Sequence, residues 1–271
     1  MRLCKLIFCL CLSGFQALFA SEILEIQVGA QTHKLLQKDL LKDPNLQTVT
    51  VHADPAYAGK SMTYAAIPTA GLLKSYGIQE TDALQVTSRD GFVSLFAAKE
   101  VLHPQDTVQA FLAIESPEHP WPTLASPATA TAGAFYLIWQ HPSSVLIGKE
   151  KWPYQVARIE VKAPLASRFP AIFPDAKLPD SDPVQKGFQL FVQNCFVCHC
   201  LNQEGESHVG PDLNFPMSVT AYWEPNALRK FIRNPQSVRS WSQGKMRGFD
   251  EKEMSDDQLD QILAYLKHMA K

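Results

Sequence analysis

Two cysteines and a histidine form the clearest chemical motif of this sequence, Cys195-Phe196-Val197-Cys198-His199. Thiols separated by two residues can bond to both vinyl groups of a haem, and the following histidine can supply an axial nitrogen to the iron. A zinc site or a redox-active thiol pair can use similar spacing, and a strand-loop-helix setting would favour the thiol pair. Because this motif ends a helical pattern, we interpret it as the attachment site of one covalent haem c.

Two helices are predicted to position this motif. Asp182 followed by Pro183 is typical of a helix start, and the apolar or small residues that follow recur at helical spacing: Val184, Gly187, Phe188, Phe191 and Cys195. Near the end of the chain, Ser255 and Gln258 fit a capping box. An apolar stripe follows that box and consists of Leu259, Ile262, Leu263 and Leu266. The two helices predict an all-α core around the haem.

Residues 182–271 resemble a single-haem, class I type cytochrome c domain. The resemblance rests on G-x-x-x-F before the motif, then GPDLN, ALRKFIRNP, KMRGF and the capped last helix, in that order. It implies that the carbonyl of Pro211 orients His199. It also implies that Met246 is the sixth ligand of the iron, with Met217 and His208 as competitors.

The sequence departs from the family pattern at one position, Arg247, where the family usually has proline.

Iron with two axial ligands has no open position, so its natural activity is one-electron transfer. A haem-based sensor would instead need a weak or absent sixth ligand. Arg233 and Trp241 are candidates for contacts to the haem propionates or for exposed side chains. Cys200 can be a buried small residue, a site of intermolecular disulfide formation, or an accident of sequence.

The first twenty residues predict export. Arg2 and Lys5 precede an apolar stretch at residues 6–20, which is shorter than the roughly 20 residues of a membrane span. Small or apolar residues lead up to Ala20, so we predict a signal peptide over residues 1–20 and a periplasmic protein with no integral membrane span after its removal. The alternative is an uncleaved membrane anchor. Cleavage would leave three cysteines in the mature chain, Cys195, Cys198 and Cys200.

Residues 21–162 predict a β-rich α+β domain. Alternating or apolar runs indicate strands at residues 24–28, 32–35, 48–52, 84–87, 92–96, 110–114, 135–139 and 156–161. Asp90-Gly91 predicts a hairpin turn, and short helices are predicted at 38–42 and at 69–76, the second capped by Thr69 and ended by Gly77. A Pro-, Ala- and Thr-rich stretch at 116–133 predicts a long surface loop.

The layout of this region, with TYAAIPTAGLLKSYGI, DGF, AFYLIW and WPYQVARIEV in order, resembles a shortened sulfite-oxidase-type molybdopterin domain. That family holds molybdenum through a cysteine thiolate, and the sequence has no cysteine between Cys11 and Cys195. We therefore predict a related fold without molybdopterin. The scattered histidines of this region lack ligand spacing and predict no metal site: His33, His52, His103, His119 and His141.

A segment with five prolines at residues 163–183 predicts a semi-rigid linker between this domain and the cytochrome c domain at 184–271. A net charge of −2 over 271 residues argues against nucleic acid as a partner. The sequence favours a periplasmic electron carrier over a catalyst, with a redox partner protein in the periplasm or on the membrane and the N-terminal domain as a binding or docking module. The alternative is a sulfite-dehydrogenase-like molybdopterin oxidoreductase that passes electrons to its own haem.

Overall fold

A computed structural model describes residues 22–103, 108–124, 129–142, 147–207, 209–240 and 244–270. The predicted signal peptide lies outside these ranges. The N-terminal region, here residues 22–162, is β-rich, and the C-terminal region, residues 183–270, is helical. The fold class predicted from the sequence is therefore confirmed.

The strands of the N-terminal region form two sheets. Their bounds are β1 Ile23–Val28, β2 Gln31–Leu36, β3 Gln47–Asp54, β4 Lys60–Pro68, β5 Ala83–Ser88, β6 Val93–Ala97, β7 Gln109–Ile114, β8 Phe135–Gln140 and β9 Val156–Lys162. Within the described residues, one sheet has the order β2-β1-β9-β5-β6 and the other β3-β4-β7-β8. The β1–β9 pair is parallel and the remaining neighbours are antiparallel. The first and last strands of the region therefore lie side by side.

The helices have these bounds: α1 Gln37–Leu40, α2 Thr69–Lys74, α3 Ala98–Leu102, α4 Leu165–Arg168, α5 Pro183–Asn194, α6 Val219–Tyr222, α7 Pro225–Arg233, α8 Pro235–Val238 and α9 Asp256–Met269. The start of α5 is as predicted, because the Asp182 carboxylate accepts a hydrogen bond from the amide of Val184 at 2.8 Å. Ser255 and Gln258 form the predicted capping box of α9. A methyl group on Gly187 would lie 2.0 Å from a backbone oxygen of α9, so the absent side chain permits the close packing of α5 on α9.

Some local predictions for the N-terminal region were wrong. Strand β4 was not predicted, and helix α1 begins and ends earlier than expected. Thr69 is the first residue of α2 and not its cap, and its buried hydroxyl has no hydrogen-bond partner among the described residues. The stretch at 116–133 is not only a surface loop, because Leu124 and Ala132 are buried in the core. Residues 125–128 of that stretch lie outside the described ranges.

Asp54 joins three strands in the core of the N-terminal region. Its carboxylate is fully buried and accepts hydrogen bonds from the hydroxyls of Tyr64 at 2.7 Å and Tyr136 at 3.0 Å, and from the amide of Ala56 at 2.9 Å. Burial raises the pKa of Asp54, while these hydrogen bonds oppose the rise. A buried carboxylate is tolerated here because its oxygens have donors.

The proline-rich segment packs on the C-terminal region. Ile172 is fully buried in the helical core together with Phe191 and Tyr265, and the Tyr265 hydroxyl donates to the carbonyl of Ile172 at 2.6 Å. Phe169 and Phe173 pack at the edge of the same core. The segment is therefore held against the helices by both apolar contact and hydrogen bonding.

Candidate haem site

The motif from Cys195 to His199 forms one tight turn at the end of α5. The amide of Cys195 donates to the carbonyl of Phe191 at 2.8 Å. The amides of Cys198 and His199 both donate to the carbonyl of Cys195, at 3.0 and 2.9 Å. Cys195 and Cys198 are half-buried thiols that form no disulfide within the described residues. One short backbone turn therefore holds both thiols and the imidazole.

His199 has one ring nitrogen occupied and one left for a metal. Its Nδ1 atom lies 2.7 Å from the carbonyl oxygen of Pro211, as the sequence resemblance implies. Since a carbonyl can only accept, Nδ1 carries the proton and Nε2 keeps its lone pair. Gly210 lies directly against the ring, where a methyl group would be 2.4 Å from Cε1. Burial lowers the pKa of His199, which favours the neutral form that a metal ligand requires.

The two thiols are poor nucleophiles in this setting. Burial raises the pKa of Cys195 to about 12 and that of Cys198 to about 11, and the nearby Glu150 carboxylate adds to both shifts. Catalytic or redox-active thiols need a lowered pKa. The motif also follows the C-terminal end of α5 and not a helix N-terminus, which would lower the pKa of a thiol, so its position disfavours the redox-pair interpretation.

The candidates for the sixth ligand differ in exposure. Met246 is half-buried in the segment before α9, whereas Met217 is 57% exposed. His208 lies outside the described residues. The segment around Met246 is fixed from its C-terminal side, because the amide of Phe249 donates to the carbonyl of Ile232 at 3.1 Å. Met246 is therefore the better placed of the two methionines, and its bond to iron stays a prediction.

The residues present fit a covalently bound haem. The donor set is a neutral imidazole with a free Nε2 and two neutral thiols on one turn. Partly buried apolar side chains that border the helical core can cover a porphyrin: Phe188, Leu213 and Ile232. Phe231, also half-buried, packs against Trp223. Phe191, also predicted to line the haem, is fully buried. Among the described residues, no group of three or more His, Cys, Asp or Glu side chains could hold a metal ion.

Arg233 makes contacts within the helical region, and its contact to a haem propionate stays a prediction. Its guanidinium donates to the carbonyls of Phe249 at 2.9 Å and Met254 at 2.5 Å, and it pairs with Asp256 at 2.8 Å. It therefore ties α7 to the start of α9 and is not simply an exposed side chain. Trp241, the other candidate for a propionate contact, lies outside the described residues. Cys200 is buried, and its thiol donates to the carbonyl of Ser207 at 3.2 Å.

The N-terminal region lies against the haem-attachment turn. At the β5–β6 hairpin, where the predicted Asp90-Gly91 turn is present, the amide of Val93 donates to the carbonyl of Val197 at 3.3 Å. The hydroxyl of Ser207 donates to the carbonyl of Gly91, also at 3.3 Å. A cleft of about 440 Å³ lies between the two regions. Its walls include Leu95, Trp139, Val192 and Val197.

A second contact between the regions involves a carboxylate near the motif. Glu206 pairs with Arg168 of α4 and accepts from the side-chain amide of Gln85 in β5. Burial raises the pKa of Glu206, but these hydrogen bonds outweigh it and lower the pKa below the ordinary value of 4.5. The linker and both regions therefore meet at one charged cluster.

A third contact was not predicted from the sequence. Arg247, which follows Met246, pairs with Glu150 of the N-terminal region and with Glu253. The only sequence signal was that Arg247 departs from the family pattern. Glu150 stands between Lys149 and Lys151, and the sequence gave no signal that it would be buried or paired with Arg247.

The fold and the site together define a helical domain suited to a haem bound through two thioether bonds. The model of the family described as cytochrome c matches residues 184–270. This part of the protein is therefore a cytochrome c domain, and that family implies covalent haem c and electron transfer.

A solved structure with similarity to the chain is the sulfane dehydrogenase SoxCD from Paracoccus pantotrophus. The match has 19% sequence identity and a TM-score of 0.35, and it covers 59% of this chain and 43% of that chain. None of the helices among the described residues combines the length and the apolar character that a membrane span requires.

Proposed function

We propose that the protein is a periplasmic one-electron carrier whose single haem c is attached through Cys195 and Cys198 and ligated by His199 and Met246. The main support is the hydrogen bond from His199 Nδ1 to the carbonyl of Pro211, which leaves Nε2 free to bind the iron. Two neutral thiols lie on the same turn. The haem supplies a reversible ferric–ferrous couple. The protein's residues hold the axial imidazole, and the apolar side chains around it exclude water.

The test of the ligand assignment compares Met246→Ala with Met217→Ala in the full chain. Because methionine is a soft ligand that raises the potential, Met246→Ala should abolish the weak red absorption band of methionine-ligated ferric haem and lower the reduction potential. Met217→Ala is the matched control and should change neither property. An unchanged spectrum in Met246→Ala would contradict the proposed ligand set.

We further propose export of the chain, with residues 1–20 as the signal peptide, units at 21–162 and 184–271, and a linker at 163–183. Support comes from the short apolar segment after Arg2 and Lys5. Fractionation of an expressing bacterium with N-terminal sequencing should recover the haem protein from the periplasm, beginning at Ser21. Recovery in the membrane fraction with Met1 intact would favour the uncleaved anchor.

We propose the N-terminal region as a docking module for a redox partner. It covers the attachment turn through Val93, which bonds to Val197, and Gly91, which bonds to Ser207, so a partner that approaches from this side meets the N-terminal region first. Electron exchange with a charged partner protein should then slow as salt is added, whereas reduction by a small neutral quinol should not. Metal analysis tests the alternative oxidoreductase: we expect one iron and no molybdenum per chain, and stoichiometric molybdenum would favour that enzyme.

A further inference from the structure

We propose that Glu150 of the N-terminal region is a positioning residue of the haem site, which acts through Arg247 to hold the Met246 segment in place. The inference rests on the proposed ligation by Met246. It assigns to the N-terminal region a direct part in the stability of the iron–methionine bond, in addition to docking.

Contacts within the N-terminal region hold the turn that carries Glu150 in place. It lies in a short 3₁₀ turn, Lys149–Lys151, and only 5% of the residue is exposed. Its carbonyl accepts a hydrogen bond from the hydroxyl of Ser94 in β6 at 2.5 Å. The next residue, Lys151, donates to the carbonyl of Leu95 at 2.5 Å and pairs with Glu100 at 2.9 Å. The carboxylate therefore projects from a turn fixed on the β-sheet.

Arg247 receives that carboxylate in a defined geometry. One guanidinium nitrogen bonds to Glu150, and the other bonds to Glu253 at 2.7 Å and to the carbonyl of Gly248 at 3.1 Å. The guanidinium also lies 4.1 Å from the centre of the Phe249 ring. Burial lowers the pKa of Arg247, but the two carboxylates outweigh it and raise the pKa overall. The side chain is thus a fixed cation in the physiological range.

Lys149 extends the pair into a row of alternating charges. Its ammonium pairs with Glu253, so the order is Glu150, Arg247, Glu253 and Lys149, with two charges from each region. A partly buried ion pair of this kind adds little net stability but specifies one geometry, and loss of Arg247 would leave the buried Glu150 carboxylate without its cation. The row therefore selects one arrangement of the two regions.

The position of Arg247 links this row to the iron. Consecutive Cα atoms are about 3.8 Å apart, so the backbone of Met246 cannot move far while Arg247 is held. On the other side of Arg247, Gly248 packs where a methyl group would lie 2.2 Å from the carbonyl oxygen of Arg233. When the bond to Glu150 is lost, Arg247 keeps its bonds to Glu253 and Gly248 within the helical region, and the segment next to the methionine loses its anchor on the N-terminal region.

The test measures how readily an external ligand replaces the methionine. Imidazole is added to the ferric full-length protein, and the rate of its binding and the methionine absorption band are recorded. Glu150→Gln removes the charge and keeps the shape, so we expect imidazole to bind about tenfold faster or more. Glu206→Gln is the matched control, because it weakens another contact between the two regions, the one to Gln85, without contact to the Met246 segment. It should leave the imidazole rate unchanged.

A double-mutant cycle separates positioning from general loosening. If Glu150 acts through Arg247, then Glu150→Gln should have little further effect in the Arg247→Gln background. Additive effects of the two changes would overturn the proposal. Equal acceleration by Glu150→Gln and Glu206→Gln would also overturn it, because the effect would then come from weakened contact between the regions.

A second variant tests the proposal if Glu150→Gln folds poorly. Arg247→Lys keeps the charge but loses the planar fork that binds two carboxylates, and it should accelerate imidazole binding in the same direction by a smaller factor. The proposed function is tested separately by the wild-type spectrum. If the wild type lacks methionine ligation, the proposed function fails; if ligation is present and no variant alters the imidazole rate, only this inference fails.

Discussion

Replacing Gly187 by alanine should destabilise the cytochrome domain, even though alanine is the better helix former. The added methyl would lie 2.0 Å from the carbonyl oxygen of Gln261 and 2.8 Å from Cβ of Tyr265, whereas ordinary contact begins at 3.4 Å. The two helices would have to separate by about 3.4 − 2.0 = 1.4 Å. The obstacle is backbone, so no side-chain rotation can relieve it.

Overpacking of a core costs about 1–3 kcal/mol and occasionally more, and backbone obstruction places this case at the upper end. The higher helix propensity of alanine offsets about 1 kcal/mol of this cost in the free energy of unfolding. A net loss of about 2 kcal/mol remains, which corresponds to a fall of roughly 8–16 °C in the melting temperature of a domain of this size. Thermal unfolding of the haem-loaded protein, followed at the Soret band, measures this fall.

Gly71→Ala is the control for the intrinsic propensity. Gly71 also lies within a helix, α2, but a methyl group there would meet no atom within 4 Å. That change should leave stability unaltered or raise it by up to about 1 kcal/mol, measured by circular dichroism. If Gly187→Ala behaved like Gly71→Ala, the argument that α5 and α9 pack too closely for a side chain would be refuted.

Three further outcomes follow from the site and the core. Gly210→Ala should push the His199 ring off its hydrogen bond to the backbone and broaden or shift the haem absorption bands, since the methyl would be 2.4 Å from Cε1; unchanged bands would contradict this contact. Glu206, whose pKa lies below its ordinary value of 4.5, stabilises the fold above that pH, and the contribution should disappear as the pH falls through the folded pKa. Denaturant titrations of the wild type across pH 3–6 measure this loss of stability. The same pH dependence should be smaller in Arg168→Gln. Asp54→Ala should cost at least about 1–3 kcal/mol, because two buried tyrosine hydroxyls lose their acceptor; a neutral result in chemical unfolding would exclude that role.

Local signals predicted the elements that hold the haem motif. Asp182 and the Ser255–Gln258 box satisfy amide groups within a few residues of themselves, so their function as helix caps is visible in the sequence. The Asp90-Gly91 turn is equally local. The motif from Cys195 to His199 was recognisable because haem attachment requires a fixed spacing.

The remainder depends on contacts between residues distant in the chain. Strand β4 was missed because its buried positions do not alternate regularly, and its first residues are exposed. Glu150 and Arg247 are 97 residues apart, and no local pattern reports a partner at that distance. The burial of Leu124 likewise depends on the core against which its segment folds.

The position of the β5–β6 hairpin also constrains how the protein matures. Thioether formation requires a haem and its attachment machinery to reach Cys195 and Cys198, yet in the folded chain Val197 between them is 3% exposed and bonded to Val93. The N-terminal region leaves the ribosome first and can fold before the haem motif is complete. We therefore expect haem attachment to precede the packing of the two regions against each other. The β5–β6 hairpin would then cover the attachment turn only after both thioether bonds have formed.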